Sequence, residues 1–323
     1  MIIRPRFSGS LIVLACMCLL QNAHAASIQR WQTAEGTTIY LAERHELPIL
    51  DITVQFKGAG GADNINSANI AKAVTNMLTS GTKELDEEAL NDRSNELAAT
   101  FDSSDGIGSS SLSMRILSNN ERFNKAVQLM NDMISRPRFD AAVLKRNQDQ
   151  DVTALKQMES QPNYQGWRTL TLLNYPDHPY GWRAKANESA IRSVTPKDMH
   201  AYHRSHYALD NAAVLVVGNA DRRLAEKIAA AALAGLPAQS QIKAELPTVP
   251  QHLGQYKNIP FANIQQTIVM MGLPLVQRKD PDYVALTIGN YILGGGSFDS
   301  RLMKVLRDQH GFTYGASSNL MPM

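Results

Sequence analysis

The chain has two cysteines, Cys16 and Cys18, and both fall within the first 25 residues, so nothing beyond them carries a thiol. That excludes a disulfide framework, a thiolate nucleophile and cysteine metal ligands, and leaves the fold to its core alone. An excess of one charge is also missing. Setting aside Arg4 and Arg6 takes the 32 lysines and arginines to 30, against 30 aspartates and glutamates. Such a balance provides no footprint for nucleic acid or an anionic membrane surface. The N-terminal apolar run, Leu11 to Leu20, is too short to span a bilayer. Low-complexity tracts and short repeats are absent. The phosphate-loop spacing is missing around Gly294-Gly295-Gly296, and no G-x-S-x-G elbow surrounds Ser109-Ser110-Ser111, which argues against nucleotide binding and serine hydrolysis.

What is present starts with a leader. Arg4 and Arg6, the apolar run and the small-x-small sequence Ala23-His24-Ala25 predict a signal peptide over 1–25 and export across the inner membrane, to the periplasm. Val13-Leu14-Ala15-Cys16 is a poor lipidation box because the apolar run continues past it. Roughly 300 residues remain, more than one core usually serves, so two domains are expected.

The pattern along 26–236 reads as α+β. Strands are predicted at 38–42 and 49–56, adjacent in the sheet, then a helix at 67–79 with Ile70, Val74, Met77 and Leu78 on its apolar face, and a second helix at 86–99. Serine- and threonine-rich strand character covers 100–117, and helices follow at 121–135, 141–159 and 164–174. Thr195-Pro196-Lys197-Asp198 opens a helix reaching His206. The apolar run 212–217, closed by Gly218, predicts a buried strand, and 222–234 a helix. A stretch rich in proline and glutamine, 237–253, marks the linker. Past it the order repeats: a strand at 265–272, a helix after Asp280-Pro281 to Leu293, and a glycine turn. This predicts the start of a second, homologous domain over 254–323, which is incomplete.

Two groups of residues carry candidate chemistry. Downstream of the triple glycine, Arg307 sits on a helix and Gly311 starts a strand that brings back Tyr314. A fixed cation and a phenol are two donors suited to a peptide carbonyl or its oxyanion; the bland alternative is a helix-end ion pair and a core tyrosine. His200, His203 and His206 form an H-x2-H-x2-H run, but the third is rotated away from the other two on a helix, so a helix end is the better reading. Tyr164, Trp167 and Trp182 read as core or interface residues.

Met77-Leu78-Thr79-Ser80-Gly81-Thr82, the turn His178-Pro179-Tyr180-Gly181, the run 213–218 and the glycine-arginine-tyrosine motif together resemble the insulinase/pitrilysin metallopeptidases, in the two-domain bacterial form related to the mitochondrial processing peptidase. The resemblance implies two α/β-sandwich domains closing as a clamshell. Active members carry H-x-x-E-H on the first helix, where two histidines bind zinc and the glutamate activates its water. The matching positions are Lys72, Thr75 and Asn76: an ammonium, a hydroxyl and an amide, none suited to that work. The family's further glutamate ligand is expected near Thr153 or Ala154, neither acidic. Nearby Asp149 and Asp151 read as a solvated helix face, although a pairing of Lys72 with one of them in place of metal is a second possibility.

In heteromeric members one chain bears the zinc motif and another the arginine and tyrosine that bind the substrate backbone. Arg307 and Tyr314 match the latter. The resemblance thus implies a non-catalytic, substrate-binding subunit with no cofactor of its own, paired with an H-x-x-E-H chain that holds zinc. The alternatives are an autonomous metalloendopeptidase with unusual ligands and a non-proteolytic scaffold or peptide-binding protein.

Overall fold

The computed structural model describes residues 27–58, 65–106, 108–119, 121–242, 247–249, 254–262 and 265–321. The leader, the glycines at 60 and 61 and part of the linker lie outside them.

Six strands form one mixed sheet: β1 (Ile28–Gln32), β2 (Thr38–Glu43), β3 (Ile49–Lys57), β4 (Thr100–Asp105), β5 (Ser109–Leu117) and β6 (Ala212–Gly218). Their order is β1-β2-β6-β3-β5-β4, with β6 parallel to β2 and antiparallel to β3. The predicted adjacency of the second and third strands is therefore corrected, because β6 inserts between them. Val214 and Val216 are fully buried, and a strand this apolar gains most from a central position with neighbours on both sides. The predicted strand region 100–117 divides into two strands, β4 and β5. β1, a polar edge strand with an alternating exposed pattern, carries too little apolar signal to be read from sequence.

Helices cover one face. In chain order they are α1 (Ile65–Met77), α2 (Glu87–Glu96), α3 (Phe123–Ser135), α4 (Ala141–Glu159), α5 (Pro162–Asn174), α6 (Pro179–Trp182), α7 (Glu188–Arg192), α8 (Pro196–His206), α9 (Arg222–Ala232) and α10 (Tyr283–Asn290). Their starts are set by side chains: Asp86, Asp140 and Asp221 accept backbone N–H bonds at the N-termini of α2, α4 and α9, and Thr195 and Asp198 form a reciprocal capping box on α8. β3 shows how the core is built. Leu50, Ile52, Val54 and Phe56 point inward, where they meet Val74 and Met77 of α1, Met130 and Met133 of α3 and Ile228 of α9. Each such side chain contributes roughly 1.5–3 kcal/mol by burial. The other face of the sheet is polar and open. On it Arg115 forms a bidentate pair with Asp51 (2.6 and 2.8 Å), and Thr53 meets Ser113 at 2.9 Å.

The region beyond the linker differs. No strand forms among the described residues from 254 to 321, which corrects both the strand predicted at 265–272 and the one predicted to carry Tyr314. A strand needs a hydrogen-bonding edge beside it, and none is presented here. Residues 270–272 instead lie along α5, with Met270 against Gly166 and Gly272 against Leu170. The expected glycine turn is corrected: Gly294 and Gly295 end a π-helical stretch, Tyr291–Gly295, where a close approach needs glycine, since a Cβ at Gly294 would stand 2.4 Å from the Ser318 nitrogen.

Candidate functional site

Two apolar stripes orient the site. On α1, Ala71, Val74, Met77 and Leu78 pack inward, which turns Lys72 and Asn76, one helical turn apart, to the outer side. On α4, Leu144, Gln148, Asp151 and Leu155 recur at helical spacing and line the same cavity, of about 250 Å³, as Lys72 and Asn76. Lys72 Nζ donates to Asp151 Oδ1 at 2.8 Å across it, both side chains being more than a third exposed. Gln148 Nε2 donates to the carbonyls of Ile191 and Val194, which fixes the 191–194 turn as another wall.

Thr153 and Ala154, near which the resemblance puts the family's carboxylate ligand, are exposed on another face of α4. The residue that α4 turns toward Lys72 is Asp151, an acid two residues earlier. Asp149 is a solvated-face residue as expected: it accepts from Lys145 (2.9 Å) and Arg192 (2.7 Å), and the Arg192 bond first, then the Lys145 bond, holds its carboxyl below the usual range.

Thr75 does not face the cavity. It is fully buried, its Oγ1 donates to the Ala71 carbonyl at 2.9 Å, and it bonds the hydroxyl of Tyr207, which also meets Ser110 Oγ at 3.2 Å. Burial pushes the Tyr207 phenol up to about 12, so it remains a neutral network member.

A second ion pair borders the cavity, and the sequence did not disclose it. Arg183 Nη2 donates to Asp105 Oδ2 at 2.6 Å and to the Gly106 carbonyl at 2.7 Å. Asp105 is 6% exposed, and burial raises its carboxyl above the ordinary range against the pull of Arg183 and, more weakly, of Lys72. Among the described residues, the buried Arg183 Nε and Asp105 Oδ1 have no hydrogen-bond partner. The only hint was position: Arg183 directly follows the His178–Trp182 turn, whose Gly181 is irreplaceable because a Cβ there would stand 1.9 Å from the Tyr175 carbonyl oxygen.

This donor set does not fit zinc. The ammonium of Lys72 and the amide of Asn76 stand where two imidazoles would be needed, and Asp151 is the one carboxylate lining the cavity. The histidine run diverges, as helical geometry predicts. His203 Nε2–H donates to the Ile134 carbonyl at 2.6 Å, His200 lies edge-on to Phe139, and His206 stacks on Tyr202.

Arg307 lies in a π-helical stretch, Met303–Gln309, with its guanidinium 5.1 Å from the Phe298 ring centroid. Tyr314 is 89% exposed. Among the described residues no hydrogen bond, ion pair or ring contact joins the two. Tyr164 packs against the Val152, Leu155 and Ile191 cluster, whereas Trp167 is 53% exposed.

A sequence profile described as "Peptidase M16 inactive domain" matches residues 193–322. The chain is 25% identical over 295 residues to a Helicobacter pylori protein named non-peptidase homolog YmxG, covering 91% of this chain and 67% of that one. The crystal structure of a peptidase M16 inactive domain from Pseudomonas fluorescens superimposes with a TM-score of 0.79 at 28% identity, over 92% of this chain and 71% of that one. Over nine-tenths of its length the chain is similar to inactive members of the insulinase/pitrilysin family, M16. The periplasmic protease PqqL from Escherichia coli shares the fold, with a TM-score of 0.59 at 13% identity over 70% of this chain and 26% of that one. These matches support a non-catalytic member of that family, and the mixed six-stranded sheet with flanking helices is the architecture of the matched structures.

Proposed function

We propose that this chain is the substrate-binding subunit of an extracytoplasmic zinc metallopeptidase, paired with a family member that carries H-x-x-E-H and holds the zinc. The observation that carries the reading is the ion pair of Lys72 with Asp151 in the cavity where the family's catalytic residues belong. A lysine engaged there removes hydrolysis from this chain but leaves the surrounding scaffold folded. What remains for the chain to contribute is binding. Arg307 and Tyr314 have their polar ends in solvent, and a guanidinium fork and a phenol O–H suit the carbonyls of an extended peptide and the oxyanion formed on attack. The leader-like residues 1–25 support a periplasmic location.

The test is cleavage of a quenched fluorescent peptide by this chain, by an H-x-x-E-H family member from the same organism, and by the two mixed. Activity in the mixture alone is expected, and Arg307→Ala should reduce it by roughly 10²–10³-fold, the loss typical of an oxyanion donor. An unchanged rate with Arg307→Ala overturns the role of that residue, and hydrolysis by this chain alone overturns the reading. A second reading, a peptide-binding scaffold without proteolysis, is favoured by the name non-peptidase homolog borne by the H. pylori relative. A stable complex in which neither chain cleaves peptide would select it.

A further inference from the structure

The cavity between α1 and α4 has a mixed lining. Met77, Leu144, Leu155, Tyr164, Ile191 and Val194 provide apolar wall, while Lys72 and Arg183 provide cations. At about 250 Å³ it lies below the ~300–1,000 Å³ of sites that enclose drug-sized ligands, so it accepts about one amino-acid residue.

Its hydrogen-bonding groups are out of balance. The Lys72 ammonium has three N–H donors and Asp151 Oδ1 takes one of them, while the buried Arg183 Nε–H has no acceptor among the described residues. Excess donors beside an apolar wall call for a ligand with acceptor oxygens next to a hydrocarbon group. Asp151 is a weak competitor for Lys72, since an ion pair exposed to this degree is worth little.

From this we infer that the cavity is a binding site for an apolar carboxylate: the C-terminal residue of a peptide, with its α-carboxylate on Lys72 and its side chain among the apolar residues. The inference rests on the reading that this chain handles peptides and deepens it, by naming the part of the substrate held here. Replacing two imidazoles and a glutamate by Lys72, Asn76 and Thr75 thus exchanges a hydrolytic centre for one that grips a free chain end.

The test is calorimetric titration of the purified chain, without any partner, with acetyl-Ala-Ala-Leu as the free acid, the same peptide as its C-terminal amide, and N-acetyl-leucine. The free acid should bind and the amide should bind roughly ten- to a hundred-fold more weakly, the worth of hydrogen bonds to a charged group. Lys72→Met should weaken the acid to the level of the amide, whereas Asp151→Asn, which removes the competing carboxylate, should strengthen it. N-acetyl-leucine matching the tripeptide identifies the ligand as any small apolar acid; weaker binding identifies a peptide end. Equal binding of acid and amide overturns the inference, as does loss of binding in Asp151→Asn together with Lys72→Met, which would mark the ion pair as structural. Because the cleavage assay reads the mixture and this titration reads the chain alone, failure of one is distinguishable from failure of the other.

Discussion

The lost metal motif and the Arg307/Tyr314 motif occupy opposite kinds of surroundings. Around α1 two of the three matched positions are engaged within the chain, Lys72 with Asp151 and Thr75 with Ala71 and Tyr207, on a helix whose inner face is buried. Beyond the linker the pattern inverts. Val284, Ile288, Tyr291, Ile292, Phe298, Phe312 and Tyr314 all have more than half of their surface in solvent. The first region is decided by its own packing, so its side chains can be read as a finished arrangement. The second holds its shape by local bonds, such as Asn290 with Ser318 and the Ala316 N–H with Met303 Sδ, and presents Arg307 and Tyr314 outward.

The largest break in this contrast is expected from truncating one side chain in each region. Met77→Ala, at the inner face of α1, should lower unfolding stability by about 2–5 kcal/mol in urea titrations, while Tyr314→Ala should stay within about 0.5 kcal/mol. Equal losses would mean the two regions are packed alike.

Acid should sharpen it next. Burial, more than any neighbouring charge, lowers the His203 imidazole from 6.5 to about 4, against its bond to the Ile134 carbonyl. Because the unfolded chain takes up that proton first as pH falls, the contribution is intact above about 6.5 and is lost progressively down to about 4, to a total of about 3 kcal/mol. Thermal melts across that window should show the loss, and His203→Gln, which keeps an N–H donor, should flatten the dependence.

The smallest effect is expected at the ion pair. Lys72→Met should change stability by about 0–1 kcal/mol, since both partners are well exposed. A loss above 2 kcal/mol in the same urea titration would show that the pair clamps α1 to α4 rather than standing ready for a ligand.

Where apolar period and capping chemistry agree, the sequence was legible. The capping box at Thr195 and Asp198, the strand at 212–218 and the long helix at 141–159 all form at or near the predicted bounds. The sheet order was not legible, because β2 and β3 are close in sequence while β6, some 170 residues later, is the strand that pairs with both; no local pattern encodes that partner. At the site, spacing alone placed the carboxylate position at 153 or 154. The helix phase set by Leu144, Gln148 and Leu155 turns Asp151 into the cavity, which spacing did not disclose.

Residue chemistry by itself determined that this chain lacks the imidazoles and glutamate of a zinc peptidase, since no folding can turn Lys72, Thr75 and Asn76 into them. It also determined the elements whose side-chain period matches helix or strand, because that pattern is local. Only the tertiary structure decided that Lys72 meets Asp151, that Arg183 holds a buried Asp105, and that Lys72, Asp151 and Arg183 line one cavity. Each depends on helix rotation and on contacts between residues some 80 positions apart, which are settled by packing against the shared sheet rather than by any neighbouring residue.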